Sequence, residues 1–284
     1  MKITLAQHSG FCMGVRNAIL RIVSEINDSE EEILVYGPLI HNPQTIDVLH
    51  GRGMRTAGAL EDMRGKRAVI RTHGIPVQER SLLKECASSL INLTCPRVAK
   101  VQSIINKYSA MGHHTVITGD ADHAEVAGLM SYASGNVTVL SDIGDTASLP
   151  VSDAYLVVSQ TTFDRQLFKK IVGRIQARYQ NVTVVDTICD ATRDRQEDVS
   201  LGIMNGIDTL VVVGGKNSAN TRRLAQIGRD SGIRTYHVET EEELNVEDFA
   251  DSKSVLVTAG TSTPGWIINN VLERLFIINY KTAN

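Results

Sequence analysis

The sequence predicts an α/β protein of three similar modules, each built on a mostly parallel sheet. Three observations predict it. A short β-branched run, a polar loop and an amphipathic stretch follow one another nine times. The all-apolar runs among them fit burial on both sides, as expected when helices cover both faces of a parallel sheet. Cys12, Cys95 and Cys189 fall in every third loop of this series, 83 and 94 residues apart. The modules are expected at 1–92, 93–181 and 182–284, set pseudo-three-fold about a common centre.

The elements follow in order. ITLA (3–6) leads into HSGFC and a helix with Val15, Ile19, Ile22 and Ile26 on one face. ILVY (33–36) leads to GPLIHN and a helix from Pro43, and RAVIR (67–71) leads to THGI and a helix from Pro76. INL (91–93), astride the bound of the second module, leads to TCP and a helix carrying Val98, Val101, Ile105 and Tyr108. HTVIT (114–118) leads to GDADHAE and a short helix, and YLVV (155–158) leads to SQTT and a helix to about Arg178. In the third, VTVV (182–185) precedes DTICDAT and a helix with a weak apolar stripe. TLVVV (209–213) precedes GGKNSANT and a helix through Ile227, and SVLVT (254–258) precedes AGTSTP and a helix ending near Tyr280. Pro43, Pro76, Pro96 and Pro264 each fall where a helix opens, a place where a missing N–H costs nothing. The acidic run ETEEELNVED (239–248) reads as a solvated surface segment.

Composition narrows the function. With 42 % hydrophobic and 21 % charged residues, the 284-residue chain can bury a core without disulfides or metal staples. Its net charge of -3 argues against a generic nucleic-acid binder but leaves room for a local anion pocket. No run approaches 18 apolar residues, so no membrane helix is expected. The start, MKITLAQHSGFC, lacks the pattern of a signal peptide, and a cytoplasmic location is expected.

In open α/β sheets ligands bind at the carboxyl ends of strands, where all nine loops lie. There is no CxxC pair among the four cysteines. Cys86, spaced by four from Leu82 and from Leu90, reads as a small hydrophobe on a helix face. Cys12, Cys95 and Cys189 stand at helix starts, which stabilise thiolates. Three such placements in successive modules point to a shared metal centre, either zinc with an open position or an iron–sulfur cluster with one iron lacking a protein ligand.

His41, His73 and His123 also occupy post-strand loops and offer cationic donors or metal ligands. His8, His50, His113, His114 and His237 read as surface or packing residues. Glu125, two residues after His123, is a candidate proton donor or base. GGKNSANT is not a Walker A loop, because Leu210 and Asn217 stand where that motif needs Gly and Ser or Thr. No GxGxxG follows a strand, so a nicotinamide or flavin lacks support. Gly, Ser and Asn before a helix make a phosphate cradle, and STP (262–264) has the same character.

Nine motifs then fall in a familiar order: GFCMGV (10–15), HN (41–42), THG (72–74), TCP (94–96), HAEVAG (123–128), SQTT (159–162), ICDATRDRQ (188–196), GGKNSANT (214–221) and AGTSTP (259–264). Over about residues 3–280 the chain resembles the 4-hydroxy-3-methylbut-2-enyl diphosphate reductases, the last enzymes of the methylerythritol phosphate route to isoprenoids. The resemblance implies three α/β modules around a 4Fe–4S cluster held by Cys12, Cys95 and Cys189, with one open iron. It implies that His41, His73, His123, Ser218, Ala219, Asn220 and Ser262 line the diphosphate site. It places Thr161 on the substrate hydroxyl, with Gln160 and Glu125 completing a proton network. It also implies an external electron donor of ferredoxin or flavodoxin type. Two rival classes are an iron–sulfur hydro-lyase, which needs no net electrons, and a non-catalytic redox sensor. Three positions depart from the family pattern. Ala124 stands where many relatives carry Pro, Thr261 where a small residue is common, and Ala219 where a serine is common. The last removes one hydroxyl donor, worth about 1 kcal/mol.

Overall fold

The computed structural model describes residues 1–283. Twelve strands and nine α-helices succeed one another along them. The strands are β1 (Lys2–Leu5), β2 (Ile33–Tyr36), β3 (Met54–Ala57), β4 (Arg67–Ile70), β5 (Ser89–Asn92) and β6 (His114–Thr118), then β7 (Val137–Leu140), β8 (Tyr155–Ser159), β9 (Val182–Val184), β10 (Thr209–Val213), β11 (Arg234–Val238) and β12 (Ser254–Ala259). The helices are α1 (Met13–Asn27), α2 (Pro43–His50), α3 (Val77–Cys86), α4 (Pro96–Ala110) and α5 (Ala124–Met130), then α6 (Arg165–Arg178), α7 (Asp190–Met204), α8 (Ala219–Asp230) and α9 (Gly265–Ala283). No α-helix lies between β3 and β4, β7 and β8, or β11 and β12.

The strands form three four-stranded sheets, all parallel, in the orders β3-β2-β4-β5, β7-β6-β8-β9 and β11-β10-β12-β1. Each sheet therefore repeats one topology: second strand at the edge, first and third inside, a fourth at the far edge. The expected α/β architecture and parallel pairing are present.

Two differences are instructive. The strands β3, β7 and β11 went unread in the sequence, and each is the same edge of its sheet. An edge strand has an exposed side, so MRTA and RTYHV carry no continuous apolar run. The other concerns the module bounds. β9, expected to open 182–284, closes the β7-β6-β8-β9 sheet beside β8. β1, expected to belong with residues 1–92, departs too. It pairs instead with β12, Lys2 opposite Ser254, and fills the fourth place of the last sheet. That place is open because no strand follows β12 among the described residues.

The chain divides into two units by its contacts. Met1–Arg16, His41–Asp47 and Asp190–Asn284 make one, which contains the β11-β10-β12-β1 sheet. Its strands alternate sides with the period of two that strand geometry imposes. Val211, Val213, Val255 and Val257 pack with Ile267, Val271, Leu275 and Ile278 of α9. Leu210, Val212 and Leu256 pack the other face with Val199 of α7 and Leu224 of α8. The other unit, Asn17–Ile40 and Val48–Cys189, holds the two remaining sheets. There β8 sends Tyr155 and Val157 toward Phe168, Ile171 and Ile175 of α6. Leu156 and Val158 go to Val98, Val101 and Ile105 of α4 and Val126 of α5.

Pro43 and Pro96 are the first residues of their helices, while Pro76 and Pro264 stand one residue before theirs. Cys86 is the last residue of α3, so Leu90 lies in β5 and not on the same helical face. Leu82 is exposed and Leu83 is the residue turned inward. Cys86 still packs against Met63, Leu83 and their neighbours, as a small hydrophobe would. No described helix is long and apolar enough to cross a membrane.

Candidate functional site

The fourth strand of every sheet runs into a cysteine loop. β1 leads to Cys12, β5 to Cys95 and β9 to Cys189, and α1, α4 and α7 begin at the next residue. The backbone repeats one contact at each. Cys12 N–H donates to Thr261 O at 3.0 Å, Cys95 N–H to Thr72 O at 2.9 Å and Cys189 N–H to Thr161 O at 2.9 Å. Each acceptor is a threonine just past the third strand of the same sheet. Cys12 Sγ also accepts the Val15 N–H at 3.5 Å, at the start of α1. All three thiols are half-buried and outside any disulfide.

Glu125 is the second residue of α5 and is 1 % exposed. Thr161 N–H donates to its Oε1 at 2.6 Å, and Thr161 Oγ1 donates to its Oε2 at 2.8 Å. Burial pushes this carboxyl up to about 7, against the opposing pull of the two Thr161 hydrogen bonds. A carboxyl poised there can hold a proton and release it near neutrality. Gln160 braces the same loops. Its Oε1 accepts Asp120 N–H at 2.9 Å and its Nε2 donates to Thr162 Oγ1 at 2.9 Å. Both ends of the amide thus bind groups of the neighbouring loops.

His123 caps α5. Its Nδ1 accepts Glu125 N–H at 3.1 Å, so the proton of the neutral ring sits on Nε2, a donor for an anion. The His73 ring meets it edge-on, with centroids 5.6 Å apart.

His41, Asn42, Ser218, Asn220 and Ser262 lie in the other unit. Ser262 Oγ donates to His41 O at 3.1 Å. Asn42 Oδ1 caps α2 through Thr45 N–H at 2.8 Å, and Ser218 Oγ caps α8 through Thr221 N–H at 3.4 Å. Gly215 lets the loops meet: a Cβ there would stand 2.5 Å from His41 O. Asn220 is 1 % exposed, yet neither its Nδ2 nor its Oδ1 has a hydrogen-bond partner among the described residues. A buried amide with both ends unsatisfied is costly, and could be satisfied by a bound polar group. Ala219, buried beside it, adds apolar surface only.

Sequence reading missed a latch on this cradle. Lys216 N–H donates to Glu239 Oε1 at 2.6 Å, and its ammonium pairs with Glu243. The acidic run is therefore not merely solvated: Glu239 and Glu243 hold the GGKNSANT loop. The spacing of Lys216 from these acids gives no local sign of the pairing.

A family model described as LytB protein matches residues 3–276. The chain belongs to the LytB family. Its LytB relatives include the 4-hydroxy-3-methylbut-2-enyl diphosphate reductase of Nitratidesulfovibrio vulgaris, 40 % identical over 275 residues, covering 95 % of this chain and 98 % of that one. The Aquifex aeolicus reductase of the same name is 36 % identical over 276 residues, covering 96 % of this chain and 95 % of that one. A solved (E)-4-hydroxy-3-methyl-but-2-enyl diphosphate reductase, described as the terminal enzyme of the non-mevalonate pathway, superposes with a TM-score of 0.69 at 35 % identity, covering 98 % of this chain and all of that one. The LytB fold extends to a Plasmodium falciparum structure at 23 % identity, with a TM-score of 0.91 over 97 % of this chain and 87 % of that one.

Proposed function

We propose that this chain is a reductase of 4-hydroxy-3-methylbut-2-enyl diphosphate, acting at the end of the methylerythritol phosphate route. Two electrons and two protons replace the substrate hydroxyl by hydrogen with loss of water. Protonation at either end of the allylic carbons gives isopentenyl and dimethylallyl diphosphate. The observation that carries the reading is the Glu125–Thr161 pair, whose threonine also anchors Cys189 through its carbonyl.

Cys12, Cys95 and Cys189 would hold one 4Fe–4S cluster with one open iron. The donor set fits: three soft thiols, each at a helix start, each with its N–H fixed in the same way. When bound, the cluster supplies the electrons and a Lewis-acid place for the substrate oxygen. The protein does the rest. His41, His73, His123, Ser218, Asn220 and Ser262 hold the diphosphate, with Ala219 beside them. Thr161 orients the hydroxyl, and Glu125 gives it the proton that lets it leave as water. Hydroxide is a poor leaving group, so that proton is worth a large part of the barrier. Electrons come from a ferredoxin- or flavodoxin-type donor. The enzyme works in the cytoplasm. The three modules are best counted by sheet, with β1 assigned to the last and β9 to the second.

Anaerobic turnover tests the reading. Oxygen-free protein should hold iron and sulfide, and with a reductant it should yield both diphosphate products. Product formed without reductant would refute the reductase and favour the hydro-lyase.

A further inference from the structure

One buried arginine binds three backbone segments next to the cysteine loops. Arg195, on α7, is 4 % exposed. Its Nη2 donates to Gly10 O at 2.6 Å, its Nη1 to Ala191 O at 2.6 Å and its Nε to Ala259 O at 3.2 Å. Each acceptor has a position that matters. Gly10 has a φ of 88°, a conformation that favours glycine, and lies two residues before Cys12. Ala259 ends β12, two residues before Thr261, whose carbonyl holds the Cys12 N–H. Ala191 lies in the first turn of α7, two residues after Cys189.

A guanidinium is planar and carries five donors in a fixed fork, so one side chain sets the relative geometry of all three segments. It is also permanently charged. α7 turns Thr192, Arg195 and Gln196 inward together with Val199, which explains why its apolar stripe is weak: this helix buries polar groups for a purpose other than core packing.

We propose that Arg195 is a positioning residue for the iron–sulfur centre, fixing the Cys12 loop and raising the centre's reduction potential. The proposal rests on the reading of Cys12, Cys95 and Cys189 as cluster ligands. A thiolate-bound cluster becomes more negative when it takes an electron. A fixed cation in a water-poor interior stabilises the reduced form more than the oxidised one. The brace and the charge are separable, because lysine keeps the charge and loses the fork.

The experiment compares oxygen-free holoprotein of wild type, Arg195→Lys and Arg195→Gln. Iron per chain, far-ultraviolet circular dichroism, the rate of iron release to a chelator, and the midpoint potential from a redox titration followed by paramagnetic resonance are measured. Arg195→Gln should shift the potential to more negative values. Arg195→Lys should keep a potential near wild type while releasing iron several-fold faster. A wild-type potential in a folded, iron-loaded Arg195→Gln overturns the role of the charge. If Arg195→Gln does not fold, Arg195→Lys decides: iron release as slow as wild type overturns the brace. Wild-type protein without iron or sulfide overturns the cluster reading and this proposal with it. Iron-loaded wild type with unaltered variants overturns this proposal alone.

Discussion

Thr161 binds both carboxyl oxygens of Glu125, through its N–H at 2.6 Å and its hydroxyl at 2.8 Å, while its carbonyl receives the Cys189 N–H at 2.9 Å. One residue thereby links the proton-carrying group to a thiol loop. Glu125→Gln is nearly isosteric and should leave iron content unchanged. Turnover should fall roughly 100- to 10,000-fold, the usual range for a lost general acid. Anaerobic product assays at saturating substrate check it, and near-normal turnover would remove Glu125 from the proton route.

The same carboxyl makes stability depend on pH. Its ordinary value is 4.5 and burial raises it to about 7 in the folded protein. The folded state therefore binds the proton more tightly than the unfolded one. The stabilising contribution is complete below about 4.5 and is lost as pH rises through about 7. Thermal midpoints measured from pH 5 to 8 should fall more in wild type than in Glu125→Gln. Turnover should decline above neutrality over the same window, as the protonated donor is depleted.

Asn220 makes the opposite kind of prediction. Its buried amide has no partner within the described protein, so Asn220→Ala should cost little stability and could gain some. Substrate affinity should drop roughly 10- to 100-fold, the value of a hydrogen bond to a charged group. A melting curve paired with KM separates the two effects. A large loss of stability without a change in KM would show that the amide serves the fold.

Gly215→Ala probes the approach of two loops. The added Cβ would stand 2.5 Å from the His41 carbonyl oxygen and 3.3 Å from its carbon. Backbone on both sides must move, which costs about 1–3 kcal/mol. The variant should melt earlier and bind the diphosphate more weakly, readable by calorimetry and by KM.

Cysteine replacements divide the four thiols. Cys12→Ser, Cys95→Ser and Cys189→Ser should each lose iron, sulfide and visible absorption. Cys86→Ser should keep all three, because Cys86 packs with Met63 and Leu83 at the end of α3. Iron loss from Cys86→Ser alone would overturn the ligand assignment.

The sequence by itself determined what local pattern can carry. Buried runs such as TLVVV and YLVV announced inner strands, and the residue types after such runs marked Cys12, Glu125 and Asn220 as candidates. Those signals are local because strand period, helix caps and loop composition are properties of a few neighbouring residues. Only the tertiary structure decided the rest. Half-exposed β3, β7 and β11 are strands because a partner binds them, and β1 chose β12 over its neighbour in the chain. Arg195, Lys216 and Glu239 acquired their roles from carbonyls and carboxylates distant in sequence. Glu125 acquired its proton affinity in the same way, since desolvation is set by whatever the fold packs around a group and not by its own identity.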